Sequence, residues 1–201
     1  MKKTVLRMAV LVSIICLLVG GTTLAIFTSV DTNSATGFAA GTVQIDAYRN
    51  AGDTSTGPMF YTTLATGGVG SHYPTGEWKP GDSHARYLNV ENVGSLDVKM
   101  TRVKAVVTGL ESDPAAYDEF ISQLKVKVEG FAGTLIAEQT LANFLGDGAA
   151  ITAGDAAKMI YVSGISNLKF TASLDINADN DLQGKSPMVS FIVVAEQAAH
   201  N

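Results

Sequence analysis

Ser166-Asn167-Leu168-Lys169-Phe170-Thr171-Ala172-Ser173-Leu174-Asp175-Ile176-Asn177 alternates from end to end. Leu168, Phe170, Ala172, Leu174 and Ile176 fall on one side; Asn167, Lys169, Thr171, Ser173 and Asp175 fall on the other. A period of two sustained this long marks a strand with one face in a core and one in water. After a polar turn over 178–186, residues 187–197 read as the last strand. Val189, Phe191 and Val193 form one face and Met188, Ile192 and Val194 the other, with Ser190 the one polar break. A strand apolar on both sides is central in its sheet or covered by something else.

Working upstream, the same logic gives more strands. Residues 84–93 carry Arg86, Leu88 and Val90 on one face. Residues 96–108 form a long strand in which Leu96, Val98 and Met100 share one parity and Val103, Ala105 and Val107 the other, so a bulge or bend is expected near Thr101-Arg102. Shorter strands are read at 38–48, 125–129, 134–138 and 158–162. Trp78-Lys79-Pro80-Gly81-Asp82 and Asn92-Val93-Gly94-Ser95 are turns. Asp113 caps a short helix with Pro114 in its first turn, and Tyr117, Phe120, Ile121 and Leu124 fall on one helical face. A further helical turn is read at 140–145, ended by Gly146. Many short strands, Gly/Pro-rich turns and two short helices in the connections predict an all-β fold, a jelly-roll-like antiparallel β-sandwich of about eight strands.

The N-terminus reads as an export signal. Lys2, Lys3 and Arg7 precede an apolar run, Gly20-Gly21 breaks it, and Thr23 and Ala25 supply the small residues of a peptidase site, which places the cut before Ile26. The alternative is a retained membrane anchor; the glycine pair and the small residues favour removal of a cleavable signal helix. The organisation is then a signal peptide over 1–25, an N-terminal arm over 26–37 and a sandwich domain over 38–201. Within that domain, 49–82 is a Gly/Pro-rich surface excursion in which only 59–64 looks strand-like. The arm has no core of its own. Ile26, Thr28 and Val30 alternate weakly, and with Phe27 they make it a candidate donor strand. Cys16 leaves with the signal, so the exported form has no disulfide and no thiol chemistry. Loss of Lys2, Lys3 and Arg7 takes the net charge from −5 to −8, which argues against nucleic acid and anionic lipid as partners.

No catalytic or metal constellation is legible, and no cofactor is expected. His72, His84 and His200 are widely separated, and the two imidazoles on one helical face that a zinc protease needs are absent. Asp175-x-Asn177-x-Asp179-x-Asp181 has the alternation of a calcium loop. It lacks the glycine at position six, where Asn180 stands, and the closing glutamate, where Ser186 stands, so it reads as a polar hairpin tip. No nucleophile elbow, phosphate loop or dinucleotide fingerprint occurs.

Taken in order, the basic head, the glycine pair before Thr22-Thr23-Leu24-Ala25, Phe38-Ala39-Ala40-Gly41-Thr42-Val43, Lys79-Pro80-Gly81-Asp82, Asn92-Val93-Gly94-Ser95-Leu96, Phe120-Ile121-Ser122-Gln123, Leu182-Gln183-Gly184 and Ala195-Glu196-Gln197 resemble the TasA/camelysin family of spore-coat-associated and biofilm-matrix proteins. The resemblance implies a jelly-roll sandwich and a signal removed by a peptidase of the SipW type. It also implies a secreted subunit that forms extracellular fibres of the matrix or cell surface, head to tail with itself, together with a minor matrix or anchoring partner. Camelysin members are classed as surface metalloproteases, but the zinc pattern is missing here, so that activity is not carried over. A monomeric surface adhesin acting through 49–82 is the third reading. Strand donation has a physical basis of its own: a sandwich has open edges that must be blocked or paired, and an extended arm adds to such an edge through backbone hydrogen bonds.

Overall fold

A computed structural model describes residues 28–31, 42–49, 57–62, 74–178, 182 and 184–199. In chain order its elements are β1 (Thr28–Asp31), β2 (Ile45–Arg49), β3 (Phe60–Tyr61), β4 (Ser83–Asn92), β5 (Val98–Thr108), α1 (Pro114–Gln123), β6 (Leu124–Gly130), β7 (Gly133–Thr140), a 3-10 turn (Leu141–Phe144), β8 (Ala149–Ala150), α2 (Asp155–Lys158), β9 (Met159–Ile160), β10 (Ile165–Leu174) and β11 (Met188–Gln197). The fold is mostly β, in two antiparallel sheets. One is ordered β1-β11-β5-β8, with β3 also on β11 and β9 also on β5; the other is β2-β4-β10-β6-β7.

The alternation in β10 decides the second sheet. Leu168, Phe170, Ala172 and Leu174 are buried, and β10 lies between β4 and β6. The first sheet presents Val189, Phe191, Val193 and Ala195 of β11 to the same core. Phe170 stacks on Phe191 with ring centroids 4.4 Å apart, so the sheets face each other across this pair. Phe144 and Phe60 meet Phe191 edge-on. β11 is central, as its two apolar faces require: β5 runs along one edge, and β1 and β3 share the other.

The parity switch in β5 is a bulge. Val194 pairs with Arg102 and Ala195 with Met100, leaving Thr101 as the extra residue, and its hydroxyl donates to Val194 O at 3.3 Å. One inserted residue lets Met100 and Val103 both face the core. α1 forms as its sequence predicts: the Asp113 carboxylate accepts from Ala116 N at 3.1 Å, and Ala116 and Phe120 are buried.

Three expectations change. β10 ends at Leu174, because Asp175 N donates to Gln123 O and the chain turns, so Ile176 lies outside the strand and is 71% exposed. The turn over 140–145 is 3-10, and α2, β8 and β9 occupy what read as a loop and a longer strand; pieces this short carry no period. Finally, the described parts of 49–82 do not lie on the surface throughout: Met59, Phe60, Tyr61 and Thr62 are buried. Their anchor is Arg49, fully buried at the end of β2, whose Nη1 donates to Pro58 O at 2.8 Å. Gly57 packs so closely on this guanidinium that a Cβ there would meet it at 3.1 Å.

Candidate assembly surfaces

β1 carries two of the residues expected to act in assembly, Thr28 and Val30, and it is not free. It pairs antiparallel with β11 of its own chain, Thr28 opposite Glu196, Ser29 opposite Ala195, Val30 opposite Val194 and Asp31 opposite Val193. Ile26, Phe27 and the cleavage residues Thr23 and Ala25 lie outside the described residues. The pairing has a simple cause. β5 fills one edge of β11, and β3 covers only Met188 and Val189 of the other. The remaining edge is a row of backbone donors and acceptors that takes whatever strand is at hand. Four paired residues form about four ladder bonds, each contributing about 0.5–1.5 kcal/mol net. Ordering four residues costs about 1–2 kcal/mol apiece. On backbone terms alone the two sums are of similar size.

The two ends of the sheets differ in character. At one end β4 stops, β5 begins and β6 turns into β7. A clasp there secures the lead-in to β2: Val93 N and Gly94 N both donate to Gln44 O, Ser95 N donates to Thr42 O, and the Thr42 and Ser95 hydroxyls share a bond of 2.8 Å. Gly94 is required by this approach, since a Cβ on it would stand 2.2 Å from Thr42 O. Beneath the clasp Asn92 is fully buried, and its Nδ2 donates to Leu96 O and Ile160 O while its Oδ1 accepts from Gly94 N. The sequence marks Asn92 only as a turn residue; its role as a buried hub was missed because its partners lie up to 68 residues away. Around it several large apolar side chains stand exposed, with the Asp97 carboxylate among them, accepting from Val162 N at 2.9 Å. Val93, Tyr161, Val162 and Ile165 are exposed, and the ring of Phe131, at the tip of the β6–β7 hairpin, is wholly so.

The other end holds a cleft of about 280 Å³. β3 supplies Phe60 and Tyr61, α1 supplies Phe120, the starts and ends of β6, β10 and β11 supply Leu124, Leu174 and Val189, and Trp78, Leu182 and Pro187 complete the apolar wall. Trp78 crosses Phe60 edge-on at 6.0 Å and lies against His84 at 4.6 Å; its indole N–H donates to Thr75 Oγ1 at 2.8 Å. The turn before β4 positions it as expected: Gly81 has φ +88°, Asp82 N donates to Lys79 O, and Lys79 N donates to the Asp82 carboxylate. The polar lining is Thr62, Glu77 and Lys185. Lys185 is closed off by its ion pair with Asp113, and that bond, with Ala116 N, holds the Asp113 carboxyl below its ordinary range. Thr62 is buried, and among the described residues its hydroxyl has no hydrogen-bond partner.

The chemistry weighed from sequence is not assembled. Both oxygens of Asp175 are engaged: Lys125 sits at 2.7 Å on one, and Asn177 N and Nδ2 donate to the other. The Lys125 bond first, then Asn177, pushes the Asp175 carboxyl down to about 2. Asp179 and Asp181 lie outside the described residues, as do His72 and His200. Among the described residues no group of three metal-capable side chains converges, and no helix is long and apolar enough to cross a membrane. Compared with protein-family models and with curated proteins, the chain matches none.

Proposed function

We propose that this chain is an exported structural subunit that polymerises into extracellular fibres of the cell surface or biofilm matrix, each copy placing its N-terminal strand on β11 of the next. One observation carries the reading: the chain's first described strand occupies, over four residues, an edge of the central strand β11 that β3 covers only at Met188 and Val189. The same edge on a neighbouring copy offers the identical register, so exchange costs little in contacts. A strand passed from copy to copy is a heterologous contact, and one that does not close gives filaments. On this reading the double sheet is a jelly roll, the signal is removed after Ala25 by a SipW-type peptidase, and Ile26, Phe27, Thr28 and Val30 form the donated segment. The resemblance to the TasA/camelysin family supports the same conclusion, and a minor matrix or anchoring protein is a further partner.

The test is electron microscopy of the secreted protein with and without residues 26–37. Fibres are expected from the intact protein and none from the deletion. A second variant, Val30→Pro, removes one backbone donor from β1 while leaving the arm's length unchanged, and it should lengthen the lag of assembly. Fibres of normal yield from the deletion overturn strand donation.

A further inference from the structure

We propose that the end of the molecule bearing Val93, Phe131, Tyr161, Val162 and Ile165 is a bilayer-contact face, which sets these side chains into the lipid interface while the N-terminal apolar run is still in the membrane. This rests on the export reading, in which that run enters a bilayer, and makes no use of strand exchange or fibre growth.

Strand direction brings this face and the N-terminus together. Thr28, the first residue of β1, stands opposite Glu196, which in turn stands opposite Lys99 at the start of β5. Met159 and Ile160 of β9 pair with Lys99 and Val98, so Tyr161 and Val162 follow directly at the same end. Val93 comes just after β4, Ile165 lies opposite Glu91, and Phe131 tops the β6–β7 hairpin. The apolar run over 8–25 is separated from Thr28 only by Ile26 and Phe27. Three residue steps reach at most about 11 Å. A helix over 8–25 would be about 27 Å long, close to the roughly 30 Å of a hydrocarbon core. With that run across a bilayer, covalent geometry alone keeps Thr28 within about 11 Å of the hydrocarbon edge. The cleft end is held off by the length of β10, ten residues or roughly 33 Å.

The end so placed is the one whose side chains suit lipid. Among the described residues eight large apolar side chains stand exposed, and these five are the majority of them. Phe131 is the extreme case, at 105% relative exposure. Phe131, Val93, Val162 and Ile165 gain by leaving water, and Tyr161 supplies the kind of amphipathic ring favoured at headgroup level. A patch of this kind marks an interaction site, and the bilayer is the partner that the chain's own connectivity delivers to it. Charge decides which lipid. The carboxylates of Glu91, Asp97, Glu129 and Glu196 at this end are half-buried, and Asp46, opposite Glu91, is exposed. Lys127 and Lys169 are both spent on Glu129. Acid is in excess, so anionic headgroups are not attracted. The contact is apolar, and a zwitterionic bilayer suffices for it.

The test uses the full-length chain with its signal uncut, carrying Cys16→Ser, purified in detergent and reconstituted into phosphatidylcholine vesicles. The polarity-sensitive dye NBD is attached at Phe131→Cys or, as the distal control, at Ile176→Cys. Ile176 is exposed and lies beyond the cleft end of β10. Both positions are on the surface, and an unchanged melting temperature verifies that labelling leaves the fold intact. The expected result is a blue-shifted NBD emission at 131, quenched by brominated phosphatidylcholine several-fold more than at 176. Tyr161→Asp/Ile165→Asp in the same chain should return the 131 label to a water-like emission, which shows that the face, and not the dye, makes the contact. Equal emission and quenching at 131 and 176 in chains that float with the vesicles overturn the contact and leave membrane insertion of the signal standing. A 131 signal that survives Tyr161→Asp/Ile165→Asp unchanged also overturns it. A blue shift at 131 that grows with protein concentration in the absence of lipid makes a second copy the occupant and overturns it likewise. Chains that fail to float with the vesicles overturn the contact and the export reading together.

Discussion

Tethering β1 to its own β11 separates an arm that stays at home from one that is exchanged. The register places Ser29 directly opposite Ala195, and directly opposed residues of an antiparallel pair have Cα atoms about 4.5–5.5 Å apart, within the range a disulfide spans. The chain from Ile26 onward contains no cysteine, so Ser29→Cys/Ala195→Cys introduces the only pair. The hold on β1 without it is small. About four ladder bonds give about 2–6 kcal/mol, against about 4–8 kcal/mol for ordering four residues, so on the strand-donation reading the arm leaves this edge readily. The covalent bond removes that state. It also closes a loop of over 160 residues, for which the chain-entropy estimate is about 5 kcal/mol against unfolding. The melting temperature of the oxidised form should therefore rise by about 10 °C or more, which verifies that the bond formed in the native register. Assembly is then followed by light scattering and electron microscopy. Oxidised protein should remain monomeric, and addition of dithiothreitol should start fibre growth after a lag. Fibres that grow at the wild-type rate while the disulfide is intact, with the raised melting temperature showing that it is native, refute strand donation.

Three further outcomes follow from local geometry. Gly94→Ala drives a methyl into Thr42 O, 2.2 Å from the ideal Cβ position, and should cost about 1–3 kcal/mol, with increased hydrogen exchange at residues 42–44 as the clasp opens. Asn92→Ala strips the carbonyls of Leu96 and Ile160 of their buried donor; a loss of about 2–4 kcal/mol in a urea titration is expected, and a loss under 0.5 kcal/mol counts against the hub. Asp175 titrates from 3.8 down to about 2 because Lys125 and Asn177 favour its charged form, so its contribution is complete above pH 4 and fades as pH falls toward 2. Asp175→Asn should therefore lower the melting temperature at pH 7 and flatten its decline in acid, whereas chelator should leave the wild-type melt unchanged.

The reach of sequence reasoning here follows the range of the interactions involved. Period-two runs in β10 and β11, the bulge announced by the parity change around Thr101, and the Asp113-Pro114 cap are legible because each is written within a few neighbouring residues. Asn92, buried Arg49 and the cleft around Trp78 were not legible, because their partners come from distant segments and no local pattern names them. The same division applies to the arm. Its residues mark it as an extended segment without a core, and that much is local. That it lies on β11, in the register that sets Ser29 against Ala195, depends on how the body folds: β5 and β3 leave part of one edge of the central strand unpaired, and backbone hydrogen bonding fills such an edge with little regard to side chains. Sequence alone thus determined the long strands, their faces and the Asp113 cap, because side-chain alternation is a local property; the tertiary structure decided the short elements, which edges remained open and which end carried the cleft, because those depend on where the completed sheets bring distant strands together.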